Sequence, residues 1–192
     1  MMFGNIAVIG DDHALFFREC REDRFNVFVF KDACAADCID ESFRTEITDT
    51  VKANVSPGEK IVFSFGYNDL KKIIKTAAER GCTHQAVSED ILKAYYLMLK
   101  AFKEKGFSVY AWGPPAAYPF NGEEKEINNA AAYFNDRLRA MCLAHGMGFA
   151  SVFDEMVTDD MNTKTDCYEN DKQLSGSMKP VVEKIWKEAG IL

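Results

Sequence analysis

The sequence predicts one three-layer α/β/α sandwich over residues 1–192, built on a five-stranded parallel sheet. Two observations carry that prediction. Apolar runs of strand length alternate along the chain with longer segments of helical period. The runs are also nearly continuous in hydrophobicity, as strands are when helices cover both their faces. A β-α-β-α order of this kind folds through right-handed crossovers into a single layered domain. One core suffices for 192 residues, and no internal repeat or linker divides them.

The strands read in order as Ile6–Ile9, closed by Gly10; Val27–Phe30; Ile61–Phe65, entered through Ser56-Pro57-Gly58; Val109–Trp112, stopped by Gly113-Pro114-Pro115; and Phe149–Val152. Between the third and fourth, Ile91, Tyr95, Leu99 and Phe102 stripe a helix, with Ser88 as its expected N-cap and Glu89 and Asp90 in its first turn. A second stripe of Ile127, Ala131, Phe134, Leu138 and Met141 opens at Asn121, with Glu124 three residues on, and closes at Gly146. Val181, Val182, Ile185 and Trp186 mark a last helix. The stretch from Asp154 to Gly176 is polar, acidic and without clear period.

Composition narrows the function. Thirty acidic against 23 basic side chains leave a net charge of −7, which argues against a nucleic-acid binder, since that needs a clustered basic face. No run approaches the ~20 apolar residues of a membrane span, and no basic, apolar leader opens the chain. The six cysteines form no C-x-x-C pair; Cys34 and Cys38, four apart, would share a face if helical. Reduced thiols in a cytoplasmic protein are expected, with no metal and no cofactor. Only His13, His84 and His145 are available as imidazoles.

In open α/β sheets ligands gather at the carboxyl ends of the strands. Those ends carry Gly10-Asp11-Asp12-His13-Ala14, Gly66-Tyr67-Asn68-Asp69 and Gly113-Pro114-Pro115, and the last helix is preceded by Asn170-Asp171-Lys172-Gln173-Leu174-Ser175. From Ile6 to about Met178 this pattern resembles the SGNH (GDSL-type) hydrolases, particularly a bacterial branch opening with glycine-aspartate-serine-histidine-alanine. The resemblance implies a flavodoxin-like strand arrangement and acyl transfer, in which a serine attacks an ester, a histidine takes its proton, and amides hold the oxyanion. Asn68, with Gly66, Tyr67 and Asp69, matches the family's third block in full.

The departures fall on the reacting groups. Asp12 stands at the serine position, Gln173 at the histidine and Asn170 at the aspartate that would orient it; Ala33 to Ser42 contains no glycine for the second block. Glutamine takes no proton near neutral pH, and losing one triad member typically lowers the rate by orders of magnitude. The expectation is a family relative that binds an acyl or carbohydrate ligand without serine ester hydrolysis. The alternative is an active hydrolase working through Asp12, a carboxylate nucleophile or base.

Asp11, His13, Gly66, Tyr67, Asp69 and Asp171 are the expected ligand-site residues around Asp12 and Asn68. Asp11, Asp12, Asp69 and Asp171 would meet if they held a divalent cation, but Asp11 and Asp69 are better read as acceptors for turn amides. His13 is expected to be structural, and His145 to sit against a helix C-terminus. Tyr67, Trp112, Tyr118 and Phe120 offer rings for a sugar, with Tyr118-Pro119-Phe120 more simply a packed loop. A receiver-like phosphoacceptor domain is a second alternative, since Ile6 to Arg18 also ends a strand in paired acids; it lacks the aspartate ending strand three and the lysine ending strand five. No glycine-rich phosphate cradle follows any strand.

Overall fold

The computed structural model describes residues 6–20, 25–56, 58–119 and 122–192. Five parallel strands, β1 (Ile6–Gly10), β2 (Phe25–Val29), β3 (Lys60–Ser64), β4 (Ser108–Trp112) and β5 (Gly148–Ala150), form one sheet in the order β2-β1-β3-β4-β5. The expected sheet is present, with ends one or two residues from those read in the sequence. Helices α1 (Phe16–Cys20), α2 (Glu41–Asn54), α3 (Tyr67–Arg80), α4 (His84–Glu104), α5 (Glu124–Ala144), α6 (Phe153–Met156) and α7 (Lys179–Glu188) surround it.

Every residue of β1 is buried, as a central strand covered on both faces requires. Its last residue must be glycine for lack of space: a Cβ on Gly10 would lie 2.3 Å from the carbonyl oxygen of Ser64 on β3. That close approach lets the Asp11 N–H continue the ladder onto Ser64 O at 3.1 Å, so the first turn begins flush with the sheet. Phe17 of α1 stacks on Trp186 of α7 at 4.9 Å and meets the edge of Trp112 at 5.3 Å, locking the terminal helix beneath one face.

Two helix starts differ from expectation. Helix α4 begins a full turn earlier than its apolar stripe, at His84, because the Thr83 side chain caps the Ala86 N–H; Ser88 lies inside the helix and returns its hydroxyl to His84 O at 2.8 Å. Helix α5 starts at Glu124; Asn121, like Pro57 and Phe120, lies outside the described residues. Its end at His145 and Gly146, with Gly146 at φ 62°, is the expected left-handed stop. The aperiodic stretch after β5 holds α6 and a small antiparallel hairpin, β6 (Tyr168–Asn170) with β7 (Gln173–Leu174). All six cysteines are unbridged; buried Cys34 and Cys38 sit at the start of and within the 3-10 turn Ala35–Ile39, rather than on an α-helical face. No described helix is long and apolar enough to cross a membrane.

Candidate functional site

The carboxyl ends of β1, β2 and β3 converge on one another through side chains that accept turn amides. Asp11 caps the 3-10 turn Asp12–Leu15 by accepting the His13 N–H at 3.0 Å. Asp69, wholly buried in the first turn of α3, accepts the N–H groups of Ala35 at 2.6 Å and Ala36 at 3.0 Å. It thereby pins the turn after β2 to the end of β3. Gly66 makes the entry to α3 with φ 124°, a conformation L side chains rarely adopt. The following Asn68 reaches back to the same loop and donates to Ala33 O at 3.0 Å.

Asp12 belongs to this knot as well. Its Oδ2 accepts the N–H of Asp32 at 2.9 Å, and Asp32 is a non-glycine residue in the left-handed region at φ 57°. Loop 32–33 is thereby tied to both neighbouring turns: its Asp32 N–H is filled by a carboxylate oxygen, and its Ala33 carbonyl takes the Asn68 amide. A donor pair aimed at a developing oxyanion is what acyl transfer needs; here both donors have acceptors within the protein.

The final block arrives on the β6–β7 hairpin, with β7 packed against the turn Asp12–Leu15. Gln173 donates Nε2–H to Glu19 of α1 at 2.7 Å, while Asn170 donates to Gln173 Oε1 at 3.4 Å and accepts the Lys172 N–H at 3.0 Å. Lys179 closes the chain on Glu19 at 3.6 Å. Gln173 and Asn170 are thus neutral amides engaged with each other and, through Gln173, with Glu19. Asp171 sits exposed at the hairpin tip.

His13 lies beneath Tyr67, ring centroids 3.7 Å apart, with Tyr168 edge-on at 6.4 Å. Neither ring nitrogen finds a partner among the described residues. Burial pushes its pKa down to about 3; the Asp12 charge opposes this and Lys71 and Lys172 reinforce it. Such an imidazole stays neutral at physiological pH and is a poor base. Burial acts oppositely on the acids, raising Asp11 to about 8 and Asp69 to about 6, in both cases against amide hydrogen bonds that favour the charge.

The other expected residues divide. Tyr67 is buried, with its hydroxyl accepting the Tyr118 N–H at 3.3 Å and burial raising its pKa. Tyr118 is half-buried, with its ring edge-on to Tyr168 at 5.6 Å, and can still offer a face to a ligand. Trp112 cannot: it is a core side chain between Phe17 and Trp186. His145 stacks on Tyr96 at 4.5 Å and shares a hydrogen bond with its hydroxyl at 3.1 Å, at the end of α5. The acids do not collect into a cation site; among the described residues no three His, Cys, Asp or Glu side chains are grouped to hold an ion.

Sequence reading missed Asp32, Ala33, Glu19 and Asn128. Asn128 of α5 accepts the Ala117 N–H at 2.7 Å and donates to Met161 O and Thr163 Oγ1, both at 2.9 Å, so it fixes the loop after β4 as a wall of the site. Tyr168 supports the same loop by donating its hydroxyl to Ala116 O. A receiver-type site is not formed, since both Asp69 oxygens are held by amides and β5 runs into α6 through Ser151-Val152 with no lysine.

The fold matches those of solved hydrolases. A Bacteroides fragilis protein described as an acylhydrolase gives a TM-score of 0.72 at 16% identity, covering 97% of this chain and 86% of its own. A GDSL-like lipase from Bacteroides thetaiotaomicron gives 0.71 at 16%, covering 97% and 87%. An acetyl xylan esterase gives 0.63 at 14%, covering 95% and 98%. No family model and no curated protein sequence matches the chain. The molecule therefore has the fold of the SGNH, or GDSL-type, hydrolases, the class that the strand-end blocks resemble.

Proposed function

We propose that this chain is an SGNH-type relative that binds an acyl or carbohydrate ligand at the strand ends and does not hydrolyse esters by the serine route. The observation that carries the reading is the state of its would-be reacting groups. Asp12 accepts the Asp32 N–H, the Asn68 amide is given to Ala33 O, and Gln173 is given to Glu19. Among the described residues no nucleophilic hydroxyl and basic imidazole stand together there. The half-buried Tyr118, beside the loop held by Asn128, supplies an aromatic wall suited to a sugar ring.

The similarity to an acetyl xylan esterase makes acetylated xylo-oligosaccharides a reasoned first ligand set. Calorimetric titration is expected to show saturable binding, while p-nitrophenyl acetate is consumed no faster than in buffer. Tyr118→Ala is expected to weaken binding about tenfold, on the scale of one lost ring contact at a desolvated site. Ester turnover that disappears in Asp12→Ala would replace this reading by carboxylate catalysis. Absence of both binding and turnover would remove the acyl and glycan assignment.

A further inference from the structure

A second concavity lies beside the knot at Asp12. Helices α3 and α4 are joined by the short turn Gly81–Thr83, and the turn Ala35–Ile39 packs across them. The three enclose a groove of about 440 Å³, within the ordinary size of small-molecule sites. Its floor is aliphatic, formed by Val87 and Ile91 of α4 with Ile39 on the opposite wall. Ile39 is 67% exposed, an unusual place for a large β-branched side chain unless something covers it.

The polar groups are unevenly placed. At one end Arg80 and Asp90 neutralise each other at 3.8 Å. At the other, Lys72 directs Nζ to Cys34 Sγ at 2.9 Å, and no carboxylate lies within ion-pair distance of it among the described residues. A thiol sulfur is a weak acceptor, and burial pushes the Cys34 thiol up to about 11, so it is not an anion near neutral pH. Lys72 is thus a cation at the edge of the trough, under the charges of Asp37 and Asp69 but hydrogen-bonded to a thiol alone, so its remaining protons can go to a ligand acceptor. From Val87 to Ala94 the floor extends about 10 Å along α4, the length of an extended chain of roughly eight carbons.

We propose that this groove binds a medium-chain carboxylate, its head on Lys72 and its chain along Ile39, Ile91 and Val87. The groove adjoins the knot at Asp12, because Asp69 lines it, but the proposal does not depend on the function proposed for that site. The turn 35–39 belongs to both, because Asp69 holds its first amides while Ile39 forms the groove wall.

Titration of the full chain with octanoate, octanol and acetate tests it by calorimetry. Octanoate is expected to bind saturably with one site per chain, octanol at least tenfold more weakly, and acetate not measurably. Lys72→Ala and Ile39→Glu should each reduce octanoate affinity at least tenfold, and Lys72→Arg should retain it. Both side chains are exposed, and unchanged circular dichroism and melting temperature will confirm that the variants fold. Non-saturating octanoate uptake, equal affinity for octanol, or undiminished binding in both variants would overturn the proposal.

Discussion

Replacing Asp69 by alanine is expected to destabilise the protein by about 3 kcal/mol. The carboxylate is fully buried and is the acceptor for two main-chain amides, Ala35 and Ala36, on a turn more than thirty residues away in sequence. Removing it leaves two buried N–H groups without partners, at about 1–3 kcal/mol each. A partial offset comes from relieving the buried charge itself, which already holds the Asp69 pKa up to about 6. Asparagine keeps one acceptor oxygen but turns an N–H₂ toward the second amide, so Asp69→Asn should recover about half the loss. Urea denaturation of the three proteins measures both values. A loss below about 1 kcal/mol for Asp69→Ala would mean that water replaces the carboxylate and that the turn is not pinned as described.

The same residue shows what sequence reading reaches in this chain. Asp69 stands out because Gly66-Tyr67-Asn68-Asp69 is a contiguous block after an apolar strand, and its role as an amide acceptor follows from its short side chain at a turn. Which amides it takes does not follow, since Ala35 and Ala36 are unremarkable as residue types. Gln173 is similar: its position is set by a local block, yet its partner Glu19 lies 154 residues earlier, on a helix with no motif of its own. The sheet was more accessible because strands buried on both faces are spelled as apolar runs. Trp112 defeated the strand-end argument for a geometric reason, since the pleat at the end of β4 turns its indole into the core against Phe17 and Trp186. The α4 start was hidden because Ser88-Glu89-Asp90 reads as a helix start of its own, which masks the cap at Thr83 and the stripe residue Val87.

The pairing of Asp12 with the Asp32 N–H, beside the Asn68 bond to Ala33 O, also explains why an acidic residue is tolerated at position 12. A carboxylate in this place needs donors, and loop 32–33 offers the amide of a left-handed residue that points at it. A serine would leave that amide open to solvent or ligand. On the proposed reading, Asp12→Ser alone frees the Asp32 N–H without placing a base at Gln173.

Asp11 makes the stability of the protein depend on pH in a direction opposite to ordinary acid unfolding, while His13 works in the ordinary direction. Asp11 has a folded pKa of about 8 against roughly 3.9 when unfolded, so the folded state holds its proton more tightly, and stability is lost as pH rises toward 8. His13, at about 3 folded against roughly 6.5 unfolded, acts in the reverse sense: its contribution is lost as pH falls from 6.5 toward 3. Asp69, at about 6, adds to the Asp11 trend below that pH. Between pH 4 and 6 His13 offsets one of the two acid trends and the other remains, so stability declines; only between about pH 6 and 6.5 do Asp11 and His13 offset each other. Above pH 6.5 His13 no longer differs between the states, and Asp11 acts alone. From pH 6.5 to 8 the loss is then about 2 kcal/mol, at about 1.4 kcal/mol for each pH unit. For a chain of this length that lowers the melting temperature by roughly 4–8 °C. Asp11→Asn keeps an oxygen for the His13 N–H but has no proton to lose, so its melting temperature should stay level over the same interval. Calorimetric melts of both proteins at pH 6.5, 7.25 and 8 decide the matter. A flat wild-type profile, or an equal decline in Asp11→Asn, would show that Asp11 does not carry a buried proton through neutral pH.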